Sequence, residues 1–235
     1  MGKKKATAYT PQVVVIVMDD SGSMNEPCTG AESKAKVASQ GIRQLVMNIQ
    51  ADNVGSSICR YYLSLAKFGD DVTPLVEAQS PTDVRLSIID FKGESGSTNM
   101  ISALEWADKA IAGSLLMIRA SVPNYHEDRT PPPVVLFFSD GENTGPDVTE
   151  AAKRIHKLSF QGDKAMVVAC GIGMKPEHFE VMQSIASLPE LAANIAVEQL
   201  GEFIAEVGTS VVEQGEGRLG VLEAVQEFRQ SAGGR

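Results

Sequence analysis

Three runs of apolar residues stand out along the chain: Val13 to Met18, Val134 to Phe138 and Ala165 to Ala169. They are short, rich in β-branched residues and do not alternate with polar ones. That pattern predicts central parallel strands covered on both faces. Ile58 to Lys67 reads as a further strand. Val72 to Glu77 follows it after Gly69-Asp70-Asp71, which predicts a hairpin and one antiparallel edge strand. A brief apolar stretch at Ile195 to Val197 predicts a last strand. Between the strands, apolar positions recur at helical spacing. Ala38, Ile42, Leu45, Val46 and Ile49 share one helix face. Ile101, Leu104, Ala107 and Ile111 share another, with Trp106 near its seam. Val148 to Leu158, after Pro146, and Pro176 to Leu188 predict two more helices with proline as a start signal. Leu200 to Val212 reads as a helix. Beyond Gly215, Gly217 and Gly220, Val221 to Phe228 predicts a short terminal one. Ala120 to Pro133 is rich in turn residues and predicts an exposed excursion. Strand and helix alternate from end to end. The expected class is α/β: a mostly parallel central sheet of about six strands, one antiparallel edge strand and helices on both faces.

Composition adds limits to this picture. The 235 residues are 43% hydrophobic and 22% charged, ordinary for a globular domain that folds without disulfides or metal. The expected division is a disordered basic leader at 1–11, one domain at 12–213, and a C-terminal extension at 214–235 with a short helix and a flexible end. The net charge is −9; without Lys3, Lys4 and Lys5 the remainder sets 18 basic against 30 acidic residues. A body that acidic repels phosphate, so no nucleic-acid partner is expected. Cys28, Cys59 and Cys170 form no CxxC pair, and they read as reduced thiols, Cys59 and Cys170 in the core and Cys28 in a loop. The apolar run after the three lysines is too short for a signal peptide and ends in Asp19-Asp20. No stretch approaches the roughly 18 apolar residues of a membrane helix. The expected location is cytoplasmic.

Candidate chemistry follows from where the apolar runs end, because open α/β sheets bind ligands beyond the carboxyl ends of their strands. After the first run comes Asp19-Asp20-Ser21-Gly22-Ser23-Met24, and after Val134 to Phe138 comes Ser139-Asp140-Gly141-Glu142-Asn143. Between them, Gly93 to Asn99 forms a small-residue loop that leads into a helix beginning near Asn99. Asp19, Ser21, Ser23, Thr98 and Asp140 are hard oxygen donors, and with no Cys or His among them they suit Mg²⁺ or Mn²⁺ rather than Zn²⁺. Two carboxylates balance a divalent charge. Neutral hydroxyls leave the cation electrophilic, so that an outside carboxylate can complete its shell.

These residues resemble the metal-ion-dependent adhesion site of the von Willebrand factor A domain family. The family's DxSxS pattern falls on Asp19, Ser21 and Ser23, its loop threonine on Thr98, and its second aspartate on Asp140. The resemblance spans roughly Gln12 to Val212, with Ser97 standing where the family often has glycine. It implies a Rossmann-like three-layer sandwich. It implies direct ligation by Ser21, Ser23 and Thr98, with Asp19 and Asp140 acting mostly through water. It also implies a stand-alone cytoplasmic adaptor or scaffold, not an enzyme, that captures a partner's Asp or Glu through Mg²⁺ (or Mn²⁺). The resemblance further implies a place beside an AAA+ ATPase, or beside kinases and phosphatases in a bacterial stress response.

Other readings stay open on the residues alone. Ser21, Ser23 and Thr98 also suit helix caps and turns. Asp20 is the alternative to Asp19 by a one-residue slip, and Glu142 reads as a second acceptor or a solvated carboxylate. A metal-assisted phosphohydrolase would use the same carboxylates, with Asp20 or Glu142 as base. A vestigial site on a purely structural domain is the third reading. His126, His156 and His178 are scattered and read as bystanders. GxSxG and GxxxxGK[ST] are absent.

Overall fold

The computed structural model describes residues 6–28, 33–53, 60–160, 163–213 and 218–233. Its main sheet has six strands in the order β3-β2-β1-β4-β7-β8. These are β1 (Gln12–Asp19), β2 (Tyr61–Phe68), β3 (Val72–Gln79), β4 (Val134–Ser139), β7 (Met166–Ile172) and β8 (Ala192–Ile195). A separate two-residue ribbon pairs β5 (Ser159–Phe160) with β6 (Asp163–Lys164). All pairings in the main sheet are parallel except β2 with β3, the hairpin expected around Gly69-Asp70-Asp71. Every residue of β1, β4 and β7 is buried. Strands buried on both faces have no use for alternation, which is why these runs read as continuous. The edge strand β3 is mostly accessible, contains Pro74, and pairs with β2 through two register shifts.

Among the described residues six α-helices accompany the sheet: α1 (Lys34–Asn53), α2 (Met100–Ser121), α3 (Thr149–Lys157), α4 (Pro176–Ile185), α5 (Leu200–Glu213) and α6 (Arg218–Gly233). The helices α1, α5 and α6 contact one another in sequence, as do α2, α3 and α4. The expected faces are the buried ones: Ala38, Ile42, Leu45, Val46 and Ile49 of α1, and Leu104, Ala107 and Ile111 of α2, lie in one continuous core. The α1–α5 crossing is close. A Cβ on Gly41 would stand 2.8 Å from Ile204 Cδ1, and one on Gly208 would meet Leu45 Cδ1 at 2.3 Å.

Several boundaries differ from the expectation. The last strand is Ala192–Ile195 rather than Ile195 to Val197. Its small buried residues Ala192 and Ala193 pair with Ala169 and Cys170 of β7, a tertiary fit that local β-propensity does not register. Helix α4 stops at Ile185 instead of reaching Leu188. Ser187 leaves the helix to bond β7: its N–H donates to the Val167 carbonyl, and its Oγ accepts from the Val167 N–H at 2.6 Å. Helix α2 runs to Ser121, into the expected excursion, whose remaining residues include a 3₁₀ turn at Glu127–Arg129 and buried Thr130. Residues 6–11, placed in the disordered leader, are tied down. Ala6 and Thr10 are buried, Thr7 and Thr10 bridge each other, and the Tyr9 carbonyl accepts from His126 N–H. Residues 1–5 lie outside the described residues, as does Cys59. Helix α6 is longer than expected and buries Val221, Val225 and Phe228, with Phe228 edge-on to Phe203 of α5.

Candidate metal centre

The parallel register delivers the carboxyl ends of β1 and β4 side by side, so Asp19 ends one strand and Asp140 follows the other. The Asp19 side chain is buried. Its Oδ1 accepts from the Ser21 N–H at 2.8 Å, and its Oδ2 accepts a short bond from the Ser139 hydroxyl. Burial pushes the Asp19 carboxyl up to about 6; bonds from Ser139 and Ser21 oppose the rise, and the neighbouring Asp140 charge adds to it. After Ser21 the chain turns through a 3₁₀ helix at Gly22–Asn25, which brings the Ser21 and Ser23 hydroxyl oxygens to 3.1 Å from each other. Ser23 Oγ donates to Asp140 Oδ1 at 2.6 Å.

Thr98 is buried on the third loop, just before Asn99 caps α2 by accepting from the Ser102 N–H. Its backbone exchanges bonds with Thr144, so the threonine loop and the Asp140 loop are stitched together. Gly141 marks where the oxygens converge. A Cβ there would lie 3.1 Å from Thr98 Oγ1, 3.6 Å from Ser23 Oγ and 3.9 Å from Asp19 Oδ2. All five expected donors are therefore brought to one place.

This set fits a hard cation. Oxygens on neighbouring corners of a Mg²⁺ octahedron, each about 2.1 Å from the ion, stand about 3 Å apart. The Ser21–Ser23 separation is of that size, and Gly141 keeps a side chain away from Thr98 Oγ1, Ser23 Oγ and Asp19 Oδ2. Among the described residues no three His, Cys, Asp or Glu side chains cluster to hold a metal, so the set depends on its hydroxyls.

Asp20, the one-residue alternative, is used elsewhere. Its Oδ1 accepts from the N–H groups of Lys92 and Gly93 at 2.6 and 2.7 Å, and its Oδ2 takes Lys67 Nζ at 2.6 Å. It pins the 92–95 segment to the end of β1, helped by the Ser95 N–H on its own carbonyl. Gly93 makes that approach possible: its φ is +67°, and a Cβ would sit 2.4 Å from the Asn25 nitrogen. Ser97 donates to Asp70, so the residue at the glycine position of the family pattern ties the loop to the β2–β3 turn. Glu142 is exposed and stands 3.3 Å from His178. His156 contacts the Ile185 carbonyl at 2.8 Å and lies away from the site.

Two participants lay beyond sequence reasoning. Ser139 orients Asp19, and Lys34 places Nζ 2.8 Å from Asp140 Oδ2 and 2.7 Å from Glu26 Oε2. Burial alone would lower the Lys34 ammonium's affinity for its proton, but the bonds to Asp140 and Glu26 outweigh it and hold the pKa above the usual value. A cleft of about 250 Å³ opens beside this pair, lined in part by Ser23, Asp140, Lys175 and His178. Of the thiols, Cys170 is fully buried, which pushes it up strongly; Cys28 is half-buried and raised chiefly by burial.

The von Willebrand factor type A domain pattern matches residues 14–142, just over half of the chain. No curated protein matches. Among solved structures, proximal thread matrix protein 1 of the mussel byssus, with a zinc-occupied MIDAS motif, is 14% identical; the match covers 84% of this chain and 48% of that one at a TM-score of 0.57. A von Willebrand factor type A protein from Catenulispora acidiphila is 16% identical over 86% of this chain and 43% of that one, also at 0.57. The vWF domain of the type V pili tip protein Mfa5 from Porphyromonas gingivalis is 11% identical over 88% of this chain and 98% of that one, at 0.59. This chain thus spans less than half the length of the first two proteins. With the match over residues 14–142 and this sheet order, the chain belongs to the von Willebrand factor type A domain family, a fold of metal-dependent protein interaction.

Proposed function

We propose that this domain binds Mg²⁺ (or Mn²⁺) with Asp19, Ser21, Ser23, Thr98 and Asp140, and through the ion captures an Asp or Glu carboxylate of a protein partner. The observation that carries this reading is the gathering of five hard-oxygen side chains at the carboxyl edge of the sheet: Asp19, Ser23 and Thr98 meet beside Gly141, and Ser21 and Asp140 are each within bonding distance of Ser23. Ser21, Ser23 and Thr98 supply neutral donors. Asp19 and Asp140 supply the balancing charge, each held by a hydroxyl, Ser139 for one and Ser23 for the other. A cation in this set would supply an electrophilic centre to which an external carboxylate adds. The chain's own task is to hold donors and to leave one direction open.

The role is that of an adaptor or scaffold rather than a catalyst, in a cytoplasmic setting and beside an ATPase or a kinase–phosphatase pair. Asp20, one candidate base for phosphoester hydrolysis, has both carboxylate oxygens engaged, which favours binding over turnover. Among the described residues no helix is long and apolar enough to cross a membrane. EPR of Mn²⁺ titrated into wild type and Asp19→Ala tests the metal. One bound ion per chain, lost in the variant, is expected; no bound ion in the wild type overturns the reading. Acetate added to the Mn²⁺-loaded protein should reduce water-proton relaxation by displacing a coordinated water. An unchanged relaxation rate rules out carboxylate capture.

A further inference from the structure

Lys34 is the one basic side chain, among the described residues, that is ion-paired with a carboxylate of the site. Its Nζ lies 2.8 Å from Asp140 Oδ2, and the Asp140 side chain has no exposure while that of Lys34 has 15%. The other oxygen of the same carboxylate accepts from Ser23. The second partner of the ammonium, Glu26, is 63% exposed and stands on the solvent side. Lys34 is also the first residue of α1, whose first turn contains no acidic residue. A cation at a helix N-terminus opposes the macrodipole, so the helix itself gains nothing from a lysine there. What the lysine serves is Asp140.

We propose that Lys34 is a tethered counter-ion that competes with a divalent cation for Asp140, and so sets how tightly the site takes metal. Without metal, the ammonium neutralises a carboxylate that burial would otherwise leave uncompensated. When a divalent cation is present, two positive charges share that carboxylate, and their repulsion weakens the binding. Glu26 offers the ammonium a place to rest, because one swing of the flexible stem keeps it paired outside the donor set. The inference rests on the metal reading above.

The test uses the full chain as wild type, Lys34→Met and Lys34→Arg, titrated with Mn²⁺ alone and followed by EPR. Methionine keeps an unbranched apolar stem without the charge, and arginine keeps the charge. Lys34→Met should bind Mn²⁺ roughly tenfold more tightly than wild type, and Lys34→Arg should stay within about threefold of it. Thermal melting supplies a second readout. In EDTA, Lys34→Met should melt below wild type, and saturating Mn²⁺ should raise its melting temperature by more than it raises that of wild type. A salt bridge that served only stability would lower the melting temperature in EDTA yet leave Mn²⁺ affinity unchanged. Affinity in Lys34→Met that is unchanged or weaker, with wild type binding one ion, overturns this inference and leaves the metal reading standing. No binding by any of the three overturns both.

Discussion

Asp19 and Asp20 sit next to each other, both buried, and their surroundings give them opposite assignments. Asp20 receives a lysine and two backbone N–H groups; Asp19 receives a backbone N–H and a hydroxyl, with no cation. A buried carboxylate without a counter-charge costs free energy whenever it ionises. The Asp19 carboxyl therefore titrates near 6 in the folded chain against 3.8 ordinarily, so the folded state holds its proton more tightly than the unfolded state does. Metal-free protein should lose up to about 3 kcal/mol of stability from this group as pH rises from about 4 through 6. Urea unfolding in EDTA at a series of pH values should show that slope in wild type and not in Asp19→Asn; equal slopes would refute it. A bound divalent cation holds the carboxylate charged and should flatten the curve. The meeting of Asp19, Ser21, Ser23, Thr98 and Asp140 was legible because each lies directly beyond an apolar run or in a glycine-rich loop, where chain chemistry and strand ends coincide. Lys34 was not legible: its partner Asp140 is 106 positions away, and a lysine opening a helix reads as a solvated side chain. The use of Asp20 was hidden likewise, since its acceptor role depends on N–H groups 72 and 73 positions on.

At the scale of elements, α1 is held from two directions. Its first residue reaches Asp140 in the candidate metal centre, and its middle is notched by Gly41 against Ile204 of α5. Gly208 of α5 returns the notch around Leu45. Two helices meeting through reciprocal gaps keep a fixed crossing, because any larger side chain must push the partner away. Gly41→Leu should destabilise the domain by about 1–3 kcal/mol through overpacking, read as a lower denaturant midpoint with an unchanged m-value. A midpoint equal to wild type would mean that the crossing gives way freely. Strand and helix identities were legible where an apolar run or a helical stripe was long, as in β1, β4, α1 and α2. The misplaced ends share a cause. β8 owes its position to alanines that fit against β7, and α4 stops where Ser187 finds Val167. Both depend on neighbours distant in the chain, which no local pattern records.

Over the whole molecule, the core runs without interruption from Ala6 to Phe228. Helix α6 belongs to it through Val221, Val225 and Phe228, the last set edge-on to Phe203 at 5.1 Å. Phe228→Ala should cost about 3–5 kcal/mol, seen as a single cooperative transition at lower temperature. Two separate transitions would instead make α6 an independent appendage. The two borders of the sheet also decide what the molecule avoids. A long, flat, unpaired border invites another copy to prolong the sheet, the first step of fibril growth. One border here is β3, where Pro74 has no N–H to offer and two register shifts break the ladder. The other is β8, only four residues long and contacted by α6. Concentrated stocks should therefore withstand storage without zipping strand to strand.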